Sequence, residues 1–280
     1  MLALLLLSAL VTAGPLWRRQ LGLVLAALLV LWPLAIDGGP LLRGLLALVG
    51  FWGAARVLDL ARMPSPLSPV QRAIFVVALV DTRNLTWSHP RVDLGAFTKT
   101  AVWVPIGLAA LWAAARCSDQ LPLRWALGAL VVYALGEALE GLLRGIIGLL
   151  GAETPPLHRD PIVSRSLREF WGERWNLVVN RWLRTHCYLP LARRRRPALG
   201  LGLAFLASAA LHAWFIGVAL GPAMAASIGL YFVIQGLLLA LEGPLGVARW
   251  PEPVGRAWML ACTLLPSPLI VEPILRLVEH

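Results

Sequence analysis

The chain has 280 residues, of which 59% are hydrophobic and 14% charged, against about a quarter charged in an ordinary soluble domain. Such a composition excludes a soluble globular protein, and its Leu, Ala and Val content excludes a disordered one. The formal charge is +10 and Lys99 is the single lysine, so the polycation is an arginine one. What remains is an all-α, polytopic transmembrane helical bundle.

Apolar runs fit to span fall at about 2–16, 21–36, 41–57, 101–115, 126–150, 198–217, 223–242 and 256–271, which predicts about eight spans. Residues 1–150 form N-terminal transmembrane helices. Residues 151–280 combine a cytoplasmic amphipathic loop, 152–197, with the C-terminal spans, and the two parts make one membrane domain. Met1 to Ala13 lacks a basic leader and is followed by Arg18 and Arg19, which reads as a first span rather than a cleaved signal peptide. Residues 73–80 are too short to cross and read as a re-entrant or interfacial piece.

Threading the spans alternately gathers Arg18, Arg19, Arg56, Arg62, Arg72, Arg83, Arg91, Lys99, Arg249 and Arg256 on one side, together with ten arginines of 152–197. That is 20 of the 25 basic residues. Positive charge marks the cytoplasmic side, so both termini are expected outside.

Within the loop, Ser164 to Leu183 has a helical pattern, with Ser164 placed as N-cap. Trp171, Trp175, Val178 and Trp182 form one stripe; Gly172, Asn176 and Asn180 lie on a neighbouring face. A basic, Trp-bearing helix belongs at a membrane interface. The block Arg193 to Arg196 before a span is a topology signal and not a nucleic-acid site.

His212 is the one histidine inside a predicted span, roughly 20 Å along the helix from Leu199. It fits either packing against a neighbouring helix or a functional site, because ionisable groups at that depth are costly. Glu137, Glu140 and Arg144 share a face of the fifth span, and Glu140 and Arg144 have ion-pair spacing. Gly136 and Gly141 point to close helix approach there. Gln235 and Glu242 in the seventh span invite the same structural reading. Cys117, Cys187 and Cys262 form no CxxC pair and read as packing residues, with no metal site expected.

The stretch SRSLREFWGERWNLVVNRWLRTHCYLP, followed by ASAALHAWF and then YFVIQGLLLALEG, resembles the wax synthase branch of the membrane-bound O-acyltransferases over roughly residues 155–275. The resemblance implies an acyl-CoA-dependent O-acyltransferase with His212 as catalytic base and Asn176 as its catalytic partner. It also implies substrate contacts by Phe170, Trp171 and Trp175. Where many relatives follow the histidine with an acidic residue, this chain has Ala213.

The partners implied are acyl-CoA as co-substrate, a lipophilic alcohol acceptor, most simply a long-chain alcohol, and membrane lipids. No other cofactor and no nucleic acid is expected. Arg168 and Arg174, with Arg165, Arg181 and Arg184, are candidates for the phosphates of the acyl donor. The protein is expected to be a multi-pass integral membrane protein, in the cytoplasmic membrane if the source is bacterial. The alternative is a transporter or non-catalytic lipid-binding membrane protein in which His212 and the Glu137, Glu140 and Arg144 group line a polar path.

Overall fold

A computed structural model describes residues 15–62 and 68–279. The first predicted run, 2–16, lies outside the described residues except for Pro15 and Leu16. Helix α1 covers Pro15–Leu31, α2 Pro40–Arg62, α3 Pro69–Val77, α4 Leu94–Arg116 and α5 Leu121–Leu149. Strands β1, Thr86–Trp87, and β2, Ala152–Glu153, form a two-stranded antiparallel ladder. The loop contributes α6, Leu167–Glu169, α7, Leu177–Leu183, and α8, Leu189–Ala192; the C-terminal part is α9, Pro197–Leu220, α10, Pro222–Leu245, α11, Glu252–Leu264, and α12, Pro268–Glu279.

Among the described residues, five helices are long and apolar enough to cross a membrane: Pro40–Ala61, Leu94–Arg116, Leu121–Leu149, Pro197–Leu220 and Pro222–Leu245. The pair α11 and α12, bent by 51°, qualifies as a sixth span, and Arg19–Ala35 is a shorter apolar helix. Their outward faces carry large apolar side chains such as Leu108, Trp112 and Leu237, each more than 60% exposed. Lipid, not water, suits such a surface. The protein is therefore an integral membrane protein.

Helix starts follow local chemistry. Ser68 caps α3 by accepting from the Gln71 N–H, while the Gln71 side chain accepts from the Ser68 N–H. The resulting nine-residue helix is far too short to span, in keeping with the reading of 73–80 as a non-crossing piece. Asp93 caps α4 by accepting from the Ala96 N–H at 2.9 Å. Helices α4 and α5 approach closely because Gly141 has no Cβ: one placed there would lie 2.5 Å from the Ala96 carbonyl oxygen.

Charges in this pair are arranged differently from the expectation. Arg144 pairs with Asp93 at 3.0 Å rather than with Glu140, because Glu140 meets Lys99 from α4 at 2.6 Å. Glu137 also pairs with Lys99. Within-helix spacing could not see the lysine across the helix interface.

Near the Arg-rich end of α2, Asp59 Oδ1 lies 2.6 Å from His186 Nε2 and Asp59 Oδ2 lies 2.7 Å from Arg83. Arg83 also binds Asp81 at 2.8 Å; although burial pulls the other way, these contacts hold the Asp81 carboxyl below its usual range. The Arg56 guanidinium sits over Trp52 and Phe75, 4.4 and 4.7 Å from the ring centres. Arg56, Asp59, Asp81, Arg83 and His186 border a cavity of about 330 Å³.

At the opposite end, Arg124 at the start of α5 pairs with Glu279 at 2.8 Å and Glu272 at 3.2 Å. Glu242 and Trp258, joined by a 3.1 Å hydrogen bond, tie the start of the bent pair to the far end of α10. The bent pair therefore runs from the loop end of the bundle to the Arg124 end, as a crossing element does. A label at Gly151 and a reporter after the last residue should report opposite sides of the membrane. The same side for both would make α11 and α12 a re-entrant loop.

Candidate functional site

His212 lies in the middle of α9. Its Nδ1 is 2.8 Å from the Ser208 carbonyl oxygen one turn earlier. A carbonyl only accepts, so Nδ1 carries the proton, and in the neutral ring Nε2 keeps its lone pair. The ring stacks on Phe232 of α10 at 3.9 Å between centres, with Phe215 at 5.7 Å. Both rotation and tautomer of the imidazole are thereby fixed.

Phe232 is also the link to the loop, since the Trp171 ring lies 5.9 Å from it. Trp171 Nε1 donates to Gln235 Oε1 at 3.1 Å, and Gln235 in turn donates to the Cys262 carbonyl oxygen at 2.8 Å. Gln235 is completely buried and has partners for both ends of its amide. Phe170 packs edge-on against Trp171 at 4.9 Å and is stacked with Trp175 at 5.7 Å. Phe170, Trp171 and Trp175 thus form one cluster, and Trp171 brings it to the histidine.

The loop is not the continuous helix that its periodicity predicts. Helix α6 has three residues, Phe170–Arg174 is a π-turn, and Asn176 takes a left-handed conformation, φ 42 and ψ 59, before α7 begins. Ser166, not Ser164, is the N-cap, accepting from the Glu169 N–H at 3.0 Å; the Ser164 hydroxyl donates to the Pro161 carbonyl at 2.7 Å. The break at 175–176 divides the single Trp stripe. Trp171 and Trp175 belong to the aromatic cluster, while Trp182 packs against His186 at 4.8 Å.

Asn176 caps α7, its Oδ1 accepting from the Val179 N–H at 3.4 Å, which leaves Nδ2 for a donor role. It makes no hydrogen bond to His212; the two are connected through Asn180, which donates to the Trp171 carbonyl at 2.5 Å, and then through Phe232. Arg174 is a clamp within the loop: Nε donates to Glu169 at 2.7 Å and Nη1 to the Arg159 carbonyl at 2.9 Å. Burial works against it, but the Arg165 N–H and the Arg174 guanidinium hold the Glu169 carboxyl below its ordinary range. The side chain of Arg168 is exposed.

Glu242 has a larger role than a structural ion pair. Its carboxylate, 4% exposed, accepts the N–H groups of Leu167 at 2.6 Å and Arg168 at 3.0 Å and the Trp258 indole N–H at 3.1 Å. Nothing within α10 itself reveals those partners, which come from the loop and from α11. Among the described residues no group of three His, Cys, Asp or Glu side chains could hold a metal ion.

Residues 154–234 match the family model described as membrane bound O-acyl transferase family. Among curated proteins, the chain is 33% identical over 125 residues to the probable long-chain-alcohol O-fatty-acyltransferase 2 of Arabidopsis thaliana, covering 41% of this chain and 36% of that protein. It is 30% identical over 143 residues to the probable long-chain-alcohol O-fatty-acyltransferase 7 of the same plant, covering 46% and 42%. The long-chain-alcohol O-fatty-acyltransferase of Simmondsia chinensis is 30% identical over 101 residues, covering 33% and 29%. The match thus spans less than half the length of these relatives. Over that stretch it bears out the resemblance to the wax synthase branch.

Glu242→Ala leaves one buried and two partly buried donors without their acceptor and should lower stability by about 2–4 kcal/mol. Glu242→Gln keeps one acceptor oxygen and should lose less. Thermal unfolding of the detergent-solubilised protein, followed by tryptophan fluorescence, measures both; equal and small losses would mean that the loop is held elsewhere.

Proposed function

We propose that the chain is an acyl-CoA-dependent O-acyltransferase that esterifies a lipophilic acceptor, with a long-chain alcohol as the favoured one. The observation that carries this reading is His212, whose Nδ1 proton is committed to Ser208 and whose ring is held by Phe232 beside the FWGERWN segment. A base with a fixed tautomer next to an aromatic, apolar wall suits acyl transfer to an alcohol. The acceptor names of the relatives support the alcohol.

In the reaction, His212 Nε2 takes the hydroxyl proton as the alcohol oxygen bonds to the thioester carbon. Asn176 Nδ2 donates to the carbonyl oxygen as charge develops there. The carbon–sulfur bond then breaks, the proton passes from Nε2 to the departing thiolate, and ester and free CoA leave. No acyl-enzyme is needed. Phe170, Trp171 and Trp175 line the approach and help to exclude water that would hydrolyse the thioester.

The arginines of 152–197 supply positive charge for the nucleotide phosphates of acyl-CoA. Arg168, with its exposed side chain, is a freer candidate than Arg174, whose Nε and Nη1 are engaged within the loop. Acyl-CoA and the alcohol are the only small molecules the reaction requires. Glu137 and Glu140 are tied to Lys99 and Arg144 to Asp93, which supports a structural role for these charges over the transporter reading.

Membranes or purified protein supplied with labelled acyl-CoA and a panel of alcohols, sterols and diacylglycerol should yield an acceptor-dependent ester. No ester from any of them by folded protein would reject the reading. Per folded molecule, His212→Ala should lower kcat by about 10²-fold or more. Asn176→Ala should cost about 10- to 10³-fold in kcat with a smaller change in KM. Arg168→Ala should instead raise KM for acyl-CoA, most clearly at low salt. Wild-type turnover in folded His212→Ala would move the base elsewhere.

A further inference from the structure

His158 sits in the connection between α5 and the π-turn, in a sequence that gives it no special mark. Yet it is 8% exposed, and its ring packs on Trp175 with centres 4.4 Å apart and planes at 34°. Its environment is built for it: a Cβ at Gly136 of α5 would lie 3.1 Å from the Trp175 ring and 3.3 Å from His158 Nε2. Any larger residue at 136 would press on both rings.

Residues 157–159 run alongside 174–177 and are fastened to them by three hydrogen bonds from backbone N–H groups, besides the one from Arg174 Nη1 to the Arg159 carbonyl. The Arg159 N–H donates to the Arg174 carbonyl at 2.9 Å and the Leu177 N–H to the Leu157 carbonyl at 2.8 Å. Between them, the Asn176 N–H donates to His158 Nδ1 at 3.0 Å. A side chain thus replaces a backbone acceptor at the residue where the chain turns left-handed, φ 42. Left-handed backbone at a non-glycine residue persists only where its surroundings hold it.

We propose that His158 is a positioning residue for the catalytic amide: its Nδ1 lone pair holds the Asn176 backbone N–H while its ring face holds the Trp175 indole. The acceptor sets the angle at which the Asn176 side chain leaves the chain, and the ring contact steadies the neighbouring indole. The role requires a neutral imidazole with its proton on Nε2, because an imidazolium has no lone pair with which to accept. Burial pushes the His158 imidazolium down to about 4, with Glu137 opposing and Lys99 reinforcing the shift. The acceptor is therefore in place at neutral pH. The functional half of this inference rests on the acyltransferase reading; the bracket itself does not.

Two substitutions separate the two contacts in the full-length, detergent-solubilised protein. His158→Phe keeps a ring against Trp175 and removes the acceptor, whereas His158→Asn presents an amide oxygen near the position of Nδ1 and removes the ring. With acyl-CoA and a long-chain alcohol, His158→Phe should lower kcat by about tenfold or more with KM for acyl-CoA within about twofold. His158→Asn should remain within about threefold of wild type in kcat. Equal loss in both variants, or a loss confined to KM, would overturn the positioning role.

Amide hydrogen exchange over residues 174–179 reads the bracket without catalysis. Exchange at Asn176 should quicken in His158→Phe and stay near wild type in His158→Asn; unchanged exchange in His158→Phe would overturn the proposal. If the exchange behaves as expected but wild-type protein forms no ester, the acyltransferase reading fails while the bracket stands.

Discussion

The Glu242 carboxylate is the fixed point of the site. Buried near the end of α10, it accepts the first free N–H groups of the loop helix, those of Leu167 and Arg168, and the indole N–H of Trp258. A helix start needs acceptors for such donors, and a buried carboxylate needs donors to remain in place. Each requirement meets the other, so the loop enters the bundle at one position and in one orientation. From that entry Phe170 and Trp171 follow within a single turn. Trp171 then reaches Gln235, two turns from Glu242 on the same helix, with a second hydrogen bond. Two anchors on α10 thus fix the aromatic segment relative to Phe232, and Phe232 relative to His212.

Much of this was legible in hydropathy. The runs at 41–57, 101–115, 126–150, 198–217 and 223–242 correspond to spanning helices, because the spacing between apolar stretches and the charges that end them carry that information directly. The last run is interrupted near Pro266 and continues as α12, so its apolar window covers α11 and only the start of the helix that completes the crossing. The loop was legible in content but not in shape. A 3.6-residue period over Ser164 to Leu183 detects the helical pieces on either side, yet it has no means of registering a left-handed residue at Asn176, whose N–H is held by His158 from outside the segment.

The same limit explains what went unseen at the site. His212 and the FWGERWN segment stand out because their residue types are unusual for a span and for a linker. His158 has ordinary surroundings in the sequence and Glu242 stands out only as a charge within a span, and what makes them important is the donor each one meets from elsewhere: Asn176 for one, the loop helix for the other. Lys99 is the clearest example. It is the sole lysine and pairs with two glutamates of the next helix, one of which, Glu140, spacing along α5 assigns to Arg144 instead.

Ring contacts run without interruption from Trp103 through Tyr133, Trp175, Phe170, Trp171 and Phe232 to His212 and Phe215. Aromatic side chains have few rotatable bonds, so ordering them costs less entropy than ordering aliphatic chains of similar area. The series crosses from α4 and α5, through the loop, to α9 and α10, and therefore ties three parts of the fold to the orientation of one imidazole. Its two polar fastenings lie on either side of the loop cluster, Trp171 on Gln235 and the Asn176 N–H on His158. Loosening either would tilt the rings before it unfolded a span, because the spans are held by their own lipid-facing composition and by the ion pairs at both ends. The bundle can thus tolerate local change at the loop while the geometry around His212 cannot, which makes the loop the part of the structure through which the setting of that imidazole is most readily altered.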